Sequence, residues 1–298
     1  MTASFHEQLA RGWKCSGSML CIGLDPDPQR YPPSLGARVQ AAYDFCSAII
    51  EATADLVCAF KPQFAHFAAQ SAEDQLERLC RRIREDHPAV TLILDAKRGD
   101  IGSTATFYAD EVFGRYGAHA VTVNPYLGTD AAAPFLARGG VIALCRTSND
   151  GAGELQDLDV GGRPLYLRVA EMVATRWTQH GECGLVAGAT ATGELADIRG
   201  AAADLPLLVP GLGAQGGDLE SSVPAGARPD GLGLIMSASR SVIYADAPDG
   251  DFAAASRLAA QHLHSRLGQI SGAYVSHHSD QGEVDGPGGV VSRRGWRR

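Results

Sequence analysis

The sequence predicts a single-domain α/β protein with the fold of a (β/α)8 TIM barrel, and two patterns support this fold. Eight short apolar runs are bounded by Gly, Pro, Asp or Asn, and segments of helical period lie between many of them. Apolar character along a whole run, without alternation, is typical of strands buried on both faces of a parallel sheet. Eight βα units in one chain of this length fit a barrel better than a doubly wound sheet, which uses fewer strands per domain.

The predicted elements follow one another along residues 1–270, which we assign to the barrel domain. The eight predicted strands lie in MLCIGLDP, LVCAFKPQF, TLILDAKRGD, AVTVNPY, GVIALCRTSN, GLVAGAT, LPLLVPGLG and GLGLIMSAS. Apolar residues recur with the period of an α-helix in five segments, which are Val39 to Thr53, Ala72 to Glu85, Thr104 to Tyr116, Tyr166 to His180 and Phe252 to Leu267. Residues 271–298 are rich in Gly, Ser and charge and lack an apolar period, so we predict a disordered C-terminal tail that the barrel does not need.

Composition narrows the class of function. The chain has 298 residues and a net charge of -8, which argues against a surface for nucleic acid or anionic membrane. It has no apolar run long enough for a signal peptide or a membrane span, so we predict a cytoplasmic protein. Seven scattered cysteines without C-x-x-C spacing indicate neither a disulfide framework nor a zinc site, and the histidines show no ligand spacing. We therefore predict no metal.

The third predicted strand ends in an unusual charged sequence, TLILDAKRGDIGST. Residues two apart in a strand share a face, so Asp95 and Lys97 should project the same way, while Asp100 follows where the chain turns into a helix. Two carboxylates about 4 Å apart repel by roughly 4 kcal/mol at an effective dielectric constant of about 20. An ion-pair network that served only stability could avoid this repulsion, so the arrangement favours a chemical role. A lysine between them stays protonated and could deliver a proton to a carbanion.

A second lysine, Lys61, follows the second predicted strand in FKPQFAHF. Active sites of barrels lie at the carboxyl ends of the strands, so Lys61 can join the same charged group. The alternative is a lysine that forms a Schiff base, which requires a lowered pKa and a site with few carboxylates. The neighbouring aspartates argue against that alternative.

Glycines and an arginine after the last two predicted strands suggest a phosphate site. PGLGAQGG has the G-x-G-x-x-G spacing of dinucleotide-binding folds, but it follows the seventh strand and not the first. Barrels often bind phosphate with the loops after strands seven and eight. Gln215 in the glycine loop and Arg240 in SASRSV could donate hydrogen bonds to it. Glycines in tight turns and a surface arginine are the structural alternative.

Two further polar residues could contact a ligand or could start turns. Asp25 in GLDPDP could accept hydrogen bonds from sugar hydroxyls, and Ser148 in CRTSND could contact the polar edge of a ring. Both also have the residue types that commonly begin a turn. The sequence leaves these alternatives open.

Four of these motifs, in this order, resemble the orotidine 5'-phosphate decarboxylase family and especially its longer bacterial branch. They are FKPQFAHF, LDAKRGDIGST, PGLGAQGGD and SASRSVIYA, and the resemblance covers about residues 15 to 268. It implies a (β/α)8 barrel, usually a homodimer with active sites at the subunit interface. It also implies loss of CO2 from orotidine 5'-phosphate, giving uridine 5'-phosphate in pyrimidine biosynthesis, without a cofactor.

The resemblance also implies a role for each matching residue. Lys97 would protonate C6, and Lys61, Asp95 and Asp100 would complete a charged tetrad. Asp100 and Thr104 would reach into the partner's site. The implied substrate-binding residues are Asp25 at the ribose, Ser148 at the pyrimidine, Gln215 and Arg240 at the phosphate, and in addition Pro210 and Ser239. Ser239 replaces a glycine that is common in shorter relatives.

Two other functions share part of this pattern. A related barrel lyase that acts on a sugar phosphate has the same D-x-K-x-x-D arrangement and uses its carboxylates to bind Mg²⁺. A non-catalytic sensor of nucleotide phosphates could keep the barrel and lose the chemistry. Lys61, PGLGAQGGD and Arg240 favour the decarboxylase over the lyase, and the complete tetrad argues against the sensor.

Overall fold

The computed structural model describes residues 3–36, 38–188, 192–212 and 218–282, the last six of these as backbone only. Eight parallel strands close into a barrel in chain order, which confirms the predicted fold. The strands are β1 Leu20–Leu24, β2 Ala59–Pro62, β3 Thr91–Arg98, β4 Ala120–Val123, β5 Gly140–Arg146, β6 Cys183–Ala187, β7 Leu207–Pro210 and β8 Leu234–Ala238. Seven strands lie within the apolar runs that predict them, and β6 begins one residue before its run, at Cys183.

Helices surround the barrel on the outside. They are α1 Phe5–Ser16, α2 Ala41–Thr53, α3 Phe64–Ala68, α4 Glu73–Asp86, α5 Gly102–Ala109, α6 Thr129–Leu136, α7 Gly153–Gln156, α8 Leu165–Thr175, α9 Thr192–Ala201, α10 Leu219–Gly226, α11 Arg240–Ile243 and α12 Phe252–Gly282. A π-helical turn, Asp110–Arg115, continues α5. Among the described helices none is long and apolar enough to cross a bilayer.

Helix α1 covers the amino-terminal end of the barrel. A capping box formed by Ser4 and Glu7 begins the helix. Its Trp13 indole donates a hydrogen bond of 3.0 Å to the Leu234 carbonyl oxygen at the start of β8. A Cβ on Gly12 would lie 2.5 Å from the Cys58 carbonyl oxygen, so only glycine permits this close packing. The polar residues after the strands gather at the opposite end, because all eight strands are parallel and their carboxyl ends lie together.

The guanidinium of Arg199 on α9 links α9 to the end of α10 and to the segments before β7 and β8. It donates hydrogen bonds of 2.7 to 3.1 Å to five backbone carbonyl oxygens, those of Ala202, Ala203, Leu205, Gly226 and Gly233. Burial and the nearby charge of Arg228 lower the pKa of Arg199 to about 10. These bonds satisfy carbonyl groups at the end of α10 and in the segments that lead into β7 and β8.

Cysteine side chains fill the interior, as their apolar sequence context predicts. Six of the seven are buried and only Cys15 is exposed. Burial raises the pKa of Cys80 and Cys145 to about 12, which keeps both thiols protonated and unreactive at neutral pH.

The structure differs from the sequence prediction at the end of the barrel domain. Helix α12 continues past residue 270 to Gly282, although the sequence loses its apolar period from Ser271. Ile270 and Tyr274 pack against the hydrophobic core. A Cβ on Gly231 would lie only 2.5 Å from Val275, so this part of the helix rests directly on the segment before β8. The rest of the predicted tail, 283–298, lies outside the described residues, and its disorder stays a prediction.

Two truncations should separate these two parts of the C-terminus. Removal of residues 283–298 should leave activity and melting temperature unchanged, because that segment has no apolar period with which to bury surface. Removal of everything after Gly272 should lower the melting temperature by about 2 to 6 °C, because the contacts of Tyr274 and Val275 contribute roughly 1 to 2 kcal/mol. Thermal unfolding of both proteins measures the difference. Equal melting temperatures would mean that α12 contributes nothing beyond residue 272.

Candidate active site

Asp95 lies at the centre of a charged cluster at the carboxyl end of β3. Its Oδ2 accepts a hydrogen bond of 2.8 Å from Lys61 Nζ, and its Oδ1 accepts one of 2.7 Å from Lys97 Nζ. Asp95 and Lys61 are almost completely buried, whereas the Lys97 side chain is 49% exposed. Of these three groups, only Lys97 is therefore open to an incoming molecule.

The charges in this cluster stabilise one another. Burial alone would lower the pKa of Lys61, but the charges of Asp95 and Asp25 outweigh it and raise that pKa above its ordinary value. Burial would likewise raise the pKa of Asp95, but Lys61 and Lys97 hold it well below its ordinary value. Lys61 is therefore an ammonium and Asp95 a carboxylate at neutral pH.

A bulge in β3 directs Lys97 into the cluster. The pairing of β3 with β4 is regular at Leu94 and resumes only at Arg98, with a shift of register between them. Lys97 has a φ of 46°, in the left-handed region that non-glycine residues seldom occupy. Asp95 and Lys97 do meet as predicted, but through this irregular backbone and not through the simple alternation of a strand.

Arg98 is kept apart from the cluster. Its guanidinium bonds to Glu111 at 2.7 Å and lies over the rings of Phe64 and Tyr108 at 4.2 and 4.6 Å. These contacts anchor the end of β3 to the π-helical turn. The bulged residues are therefore held between the regular pairing at Leu94 and the anchored Arg98.

Asp100 and Thr104 follow the charged cluster in sequence, at the start of α5. The Asp100 carboxylate accepts a hydrogen bond of 2.8 Å from the Ile101 backbone N–H, and within the described residues it pairs with no lysine or arginine. Thr104 is exposed one turn along α5. Ile101 and Phe107 beside them are 61% and 72% exposed, which is unusual for large apolar side chains. Asp100 is therefore flanked by exposed apolar side chains and forms no ion pair with Lys97 of its own chain.

Asp25, after β1, presents an unsatisfied acceptor near Lys61. Its Oδ1 is buried and accepts no hydrogen bond from the described residues. The backbone of this segment is held by Tyr244, whose hydroxyl donates to the Asp25 carbonyl oxygen at 3.1 Å and accepts from the Asp27 N–H at 2.6 Å. A buried carboxylate oxygen without a donor is costly, so this position suits a ligand hydroxyl.

Ser148 lies after β5, half-buried at the open end of the barrel. Its backbone packs on Gly188, where an added Cβ would lie 3.1 Å from the Ser148 Cβ. Gln156 from α7 accepts a hydrogen bond from the Thr147 N–H at 2.8 Å, which holds the following loop over this strand end.

The predicted phosphate residues are only partly within the described chain. Pro210 pairs with Ser237 across β7 and β8, which places the two strand ends side by side. Ser239 lies after β8 so close to β1 that a Cβ on Gly23 would lie 1.9 Å from its Oγ. Gln215 lies outside the described residues.

Arg240 follows at the start of α11. Its side chain is exposed, and in the described part of the chain no carboxylate lies within ion-pair distance of it. Its positive charge is therefore available to an anion from solution.

The sequence analysis missed one residue of this site, Thr122 on β4. Its hydroxyl donates a hydrogen bond of 2.8 Å to Asp95 Oδ1. The only signal was a single hydroxyl group inside the apolar run AVTVNPY, and threonine is common in strands for reasons unrelated to chemistry.

The described ranges 3–36, 38–188, 192–212 and 218–282 contain no candidate metal site. In them no three His, Cys, Asp or Glu side chains lie close enough together to hold a metal ion. That no metal is required stays a prediction.

Comparison with known proteins gives a consistent result. The sequence model of a family described as orotidine 5'-phosphate decarboxylase / HUMPS matches residues 18–255. An orotidine 5'-phosphate decarboxylase of Azoarcus sp. (strain BH72) is 56% identical over 258 residues, which are 86% of this chain and 95% of that protein. One of Cupriavidus necator is 55% identical over 256 residues, or 85% and 94% of the two chains.

Solved structures are similar over the same region. The OMP decarboxylase of Leishmania donovani superposes with a TM-score of 0.79 at 37% identity, covering 90% of this chain and 99% of that one. The UMP synthase of the same organism gives 0.81 at 39% identity, and 91% of this chain matches 57% of that longer chain. The family match, over residues 18–255, includes every strand of the barrel.

Proposed function

The chain belongs to the orotidine 5'-phosphate decarboxylase / HUMPS family, and from this premise we propose how its site residues divide the reaction between them. It is a carboxy-lyase that converts orotidine 5'-phosphate to uridine 5'-phosphate in pyrimidine biosynthesis. The observation that carries the assignment of roles is the cluster in which one buried carboxylate, Asp95, binds the ammonium groups of Lys61 and Lys97.

Lys97 is the proton donor. When the bond between C6 and the carboxylate breaks, CO2 leaves and the electron pair stays on C6, which then takes a proton from the Lys97 ammonium. Water reprotonates the neutral amine afterwards. Among the described residues the Lys97 ammonium donates to Asp95 alone, so two of its three N–H groups remain for the substrate and for another carboxylate.

Asp95 and Lys61 keep Lys97 charged and in place. The substrate carboxylate binds near Asp95, and loss of CO2 removes one of the two facing negative charges. Stabilisation of the developing carbanion by a fixed ammonium is the larger contribution. It needs no rearrangement of the enzyme, because the ion pairs already hold Lys97 in position.

The contacts of Asp95 also bear on the alternative of a Mg²⁺-dependent lyase. Both oxygens of the Asp95 carboxylate accept hydrogen bonds from lysine ammonium groups, whereas Mg²⁺ requires free oxygen ligands. This arrangement supports proton transfer from Lys97 over metal binding by Asp95.

The rest of the substrate binds across the open end of the barrel. Asp25 accepts hydrogen bonds from the ribose hydroxyls, for which its unsatisfied Oδ1 is suited. Ser148 contacts the pyrimidine edge. The phosphate lies at the ends of β7 and β8, near Pro210 and Ser239, with Gln215 and Arg240 as its donors. Phosphate binding far from C6 supplies energy that orients the reacting carbon against Lys97.

The active unit is a homodimer in which each site borrows Asp100 and Thr104 from the neighbouring chain. Asp100 has no cationic partner among the described residues of its own chain, and the exposed Ile101 and Phe107 give this surface the apolar character of an interface. Lys97 in turn has N–H groups left for a second carboxylate. We place the enzyme in the cytoplasm, with the small-molecule substrate and a second copy of the chain, and no nucleic acid, as its partners.

Direct assay tests this proposal. Purified protein incubated with orotidine 5'-phosphate should release CO2 and form uridine 5'-phosphate in equal amounts, with the same rate in the presence of EDTA. Binding of the nucleotide without turnover would instead favour a sensor, and loss of turnover in EDTA would favour a metal-dependent lyase.

Replacement of Arg240 by alanine should weaken binding of the phosphate group selectively. We expect the affinity for orotidine 5'-phosphate and for uridine 5'-phosphate to fall by on the order of 2 to 5 kcal/mol, since a charge-assisted contact is lost. Decarboxylation of orotidine, which has no phosphate, should change little. Titration of uridine 5'-phosphate and kcat/KM for both substrates measure the difference.

A suitable control is Arg11→Ala, which removes an exposed arginine of α1 at the other end of the barrel and should alter neither substrate's kinetics. If Arg240→Ala impaired orotidine and its phosphate equally, Arg240 would be a structural residue and the phosphate would bind elsewhere.

A further inference from the structure

The Thr122 hydroxyl lies at the junction of the catalytic carboxylate and the bulged backbone. The side chain is 1% exposed, and its Oγ1 donates 2.8 Å to Asp95 Oδ1. The same oxygen accepts hydrogen bonds from the backbone N–H groups of Ala96 at 3.1 Å and Lys97 at 3.0 Å. One donor and two acceptor positions are all that a hydroxyl has, so every one is in use.

The bulge explains why a side chain is needed at this point. Leu94 pairs with Val121 and Arg98 pairs with Val123, so the three residues of β3 between them face Thr122 alone. The regular ladder is interrupted there, and the Thr122 hydroxyl supplies the acceptor for two of the N–H groups left over. Unpaired N–H groups at a strand end would otherwise have to move towards another acceptor.

We infer that Thr122 is a positioning residue for the decarboxylation, holding the Asp95 carboxylate and the left-handed backbone of Lys97 in one fixed relation. This inference rests on the proposed function of the site. A non-glycine residue keeps a φ near that of Lys97 only where its surroundings enforce it. Thr122 enforces it from the buried side, so the Lys97 ammonium points at the reacting carbon without itself being buried.

Four substitutions test the role of the hydroxyl. Thr122→Val keeps the shape and removes the hydroxyl, Thr122→Ser keeps the hydroxyl and removes the methyl group, and Thr122→Ala removes both. Thr91→Val is the matched control, because Thr91 is a fully buried threonine at the start of the neighbouring strand β3, and its hydroxyl has no partner among the described residues.

The kinetic result expected is a loss in kcat alone. Thr122→Val should lower kcat about ten- to a hundredfold, the size of effect that follows a small misplacement of a catalytic group. KM and the affinity for uridine 5'-phosphate should stay within about threefold, since Thr122 touches no phosphate-binding residue. Thr122→Ser and Thr91→Val should retain kcat close to that of the unmodified protein.

A spectroscopic result should accompany it, because the chain has only three lysines, Lys14, Lys61 and Lys97. In protein labelled with ¹⁵N-lysine, Thr122→Val should shift the ammonium signal of Lys97 and leave that of the remote Lys14 unchanged. A general loss of packing would not single out one lysine.

Unchanged kcat in Thr122→Val, or equal losses in the valine and serine proteins, would overturn the inference. If the valine protein does not fold, the serine and alanine proteins decide, and a kcat for serine no more than about threefold above alanine overturns it. If the unmodified protein fails to decarboxylate orotidine 5'-phosphate, the proposed function is wrong and so is the inference. If the unmodified protein is active but the Thr122 variants do not behave as expected, only the inference is wrong.

Discussion

Lys97→Ala should abolish formation of uridine 5'-phosphate while leaving a folded protein. The ammonium group is the assigned proton donor, and general acid groups contribute about 10²- to 10⁴-fold to rates, to which the loss of its electrostatic stabilisation of the carbanion adds. Because its side chain is half-exposed, the barrel does not depend on it, and the melting temperature should change little. Assays of uridine 5'-phosphate formation measure the loss of activity, and thermal unfolding followed by circular dichroism measures the melting temperature.

The remaining lysine outside the site provides the control. Lys14 lies exposed on α1, and Lys14→Ala should keep full activity. Lys97→Ala should still bind uridine 5'-phosphate, since the phosphate residues are intact. Product formation near the unmodified rate would contradict the role of Lys97 as proton donor.

Mixing two inactive proteins should restore activity if the dimer shares its sites. In the proposed dimer, Asp100→Ala removes the carboxylate that each chain lends to its neighbour, and Lys97→Ala removes the proposed proton donor. In a mixed dimer, one site combines the intact Lys97 of one chain with the intact Asp100 of the other. At equal amounts and random exchange, half of the dimers are mixed and each has one complete site, so about a quarter of full activity should return.

The control for this experiment is a mixture of Lys61→Ala with Lys97→Ala. Both lysines bind the same Asp95 within one chain, so no exchange of subunits can assemble a complete site and the mixture should stay inactive. Exchange itself can be verified with differently tagged chains. If exchange occurs and the Asp100 mixture stays inactive, Asp100 serves its own chain and the shared site is wrong.

The strands could be predicted from sequence because each is a local property of the chain. A run such as GVIALCR can bury both faces only within a covered parallel sheet, and β5 lies where that run predicts it. The meeting of Lys61 with Asp95 was likewise predictable, since strand ends of a barrel converge. Neither inference needed knowledge of a distant residue.

The bulge and its consequences could not be predicted in this way. The left-handed Lys97 depends on the register between β3 and β4 and on a hydroxyl on the other strand, and neither is encoded near Lys97. The continuation of α12 was missed for a similar reason: Tyr274 and Val275 are isolated apolar residues in a polar segment, and only the surface they meet makes a helix favourable there.

The pairing of Leu20 in β1 with Met236 in β8 closes the barrel, and it has a consequence for the newly made chain. At synthesis rates of about 5 to 20 residues per second, roughly ten to forty seconds pass between the emergence of these two strands from the ribosome. Throughout that time β1 has an unpaired edge that other chains could join. Asp25 and Arg240, which we propose bind the ribose and the phosphate, follow these two strands, so with these roles a nascent chain cannot hold its substrate until Arg240 has been translated.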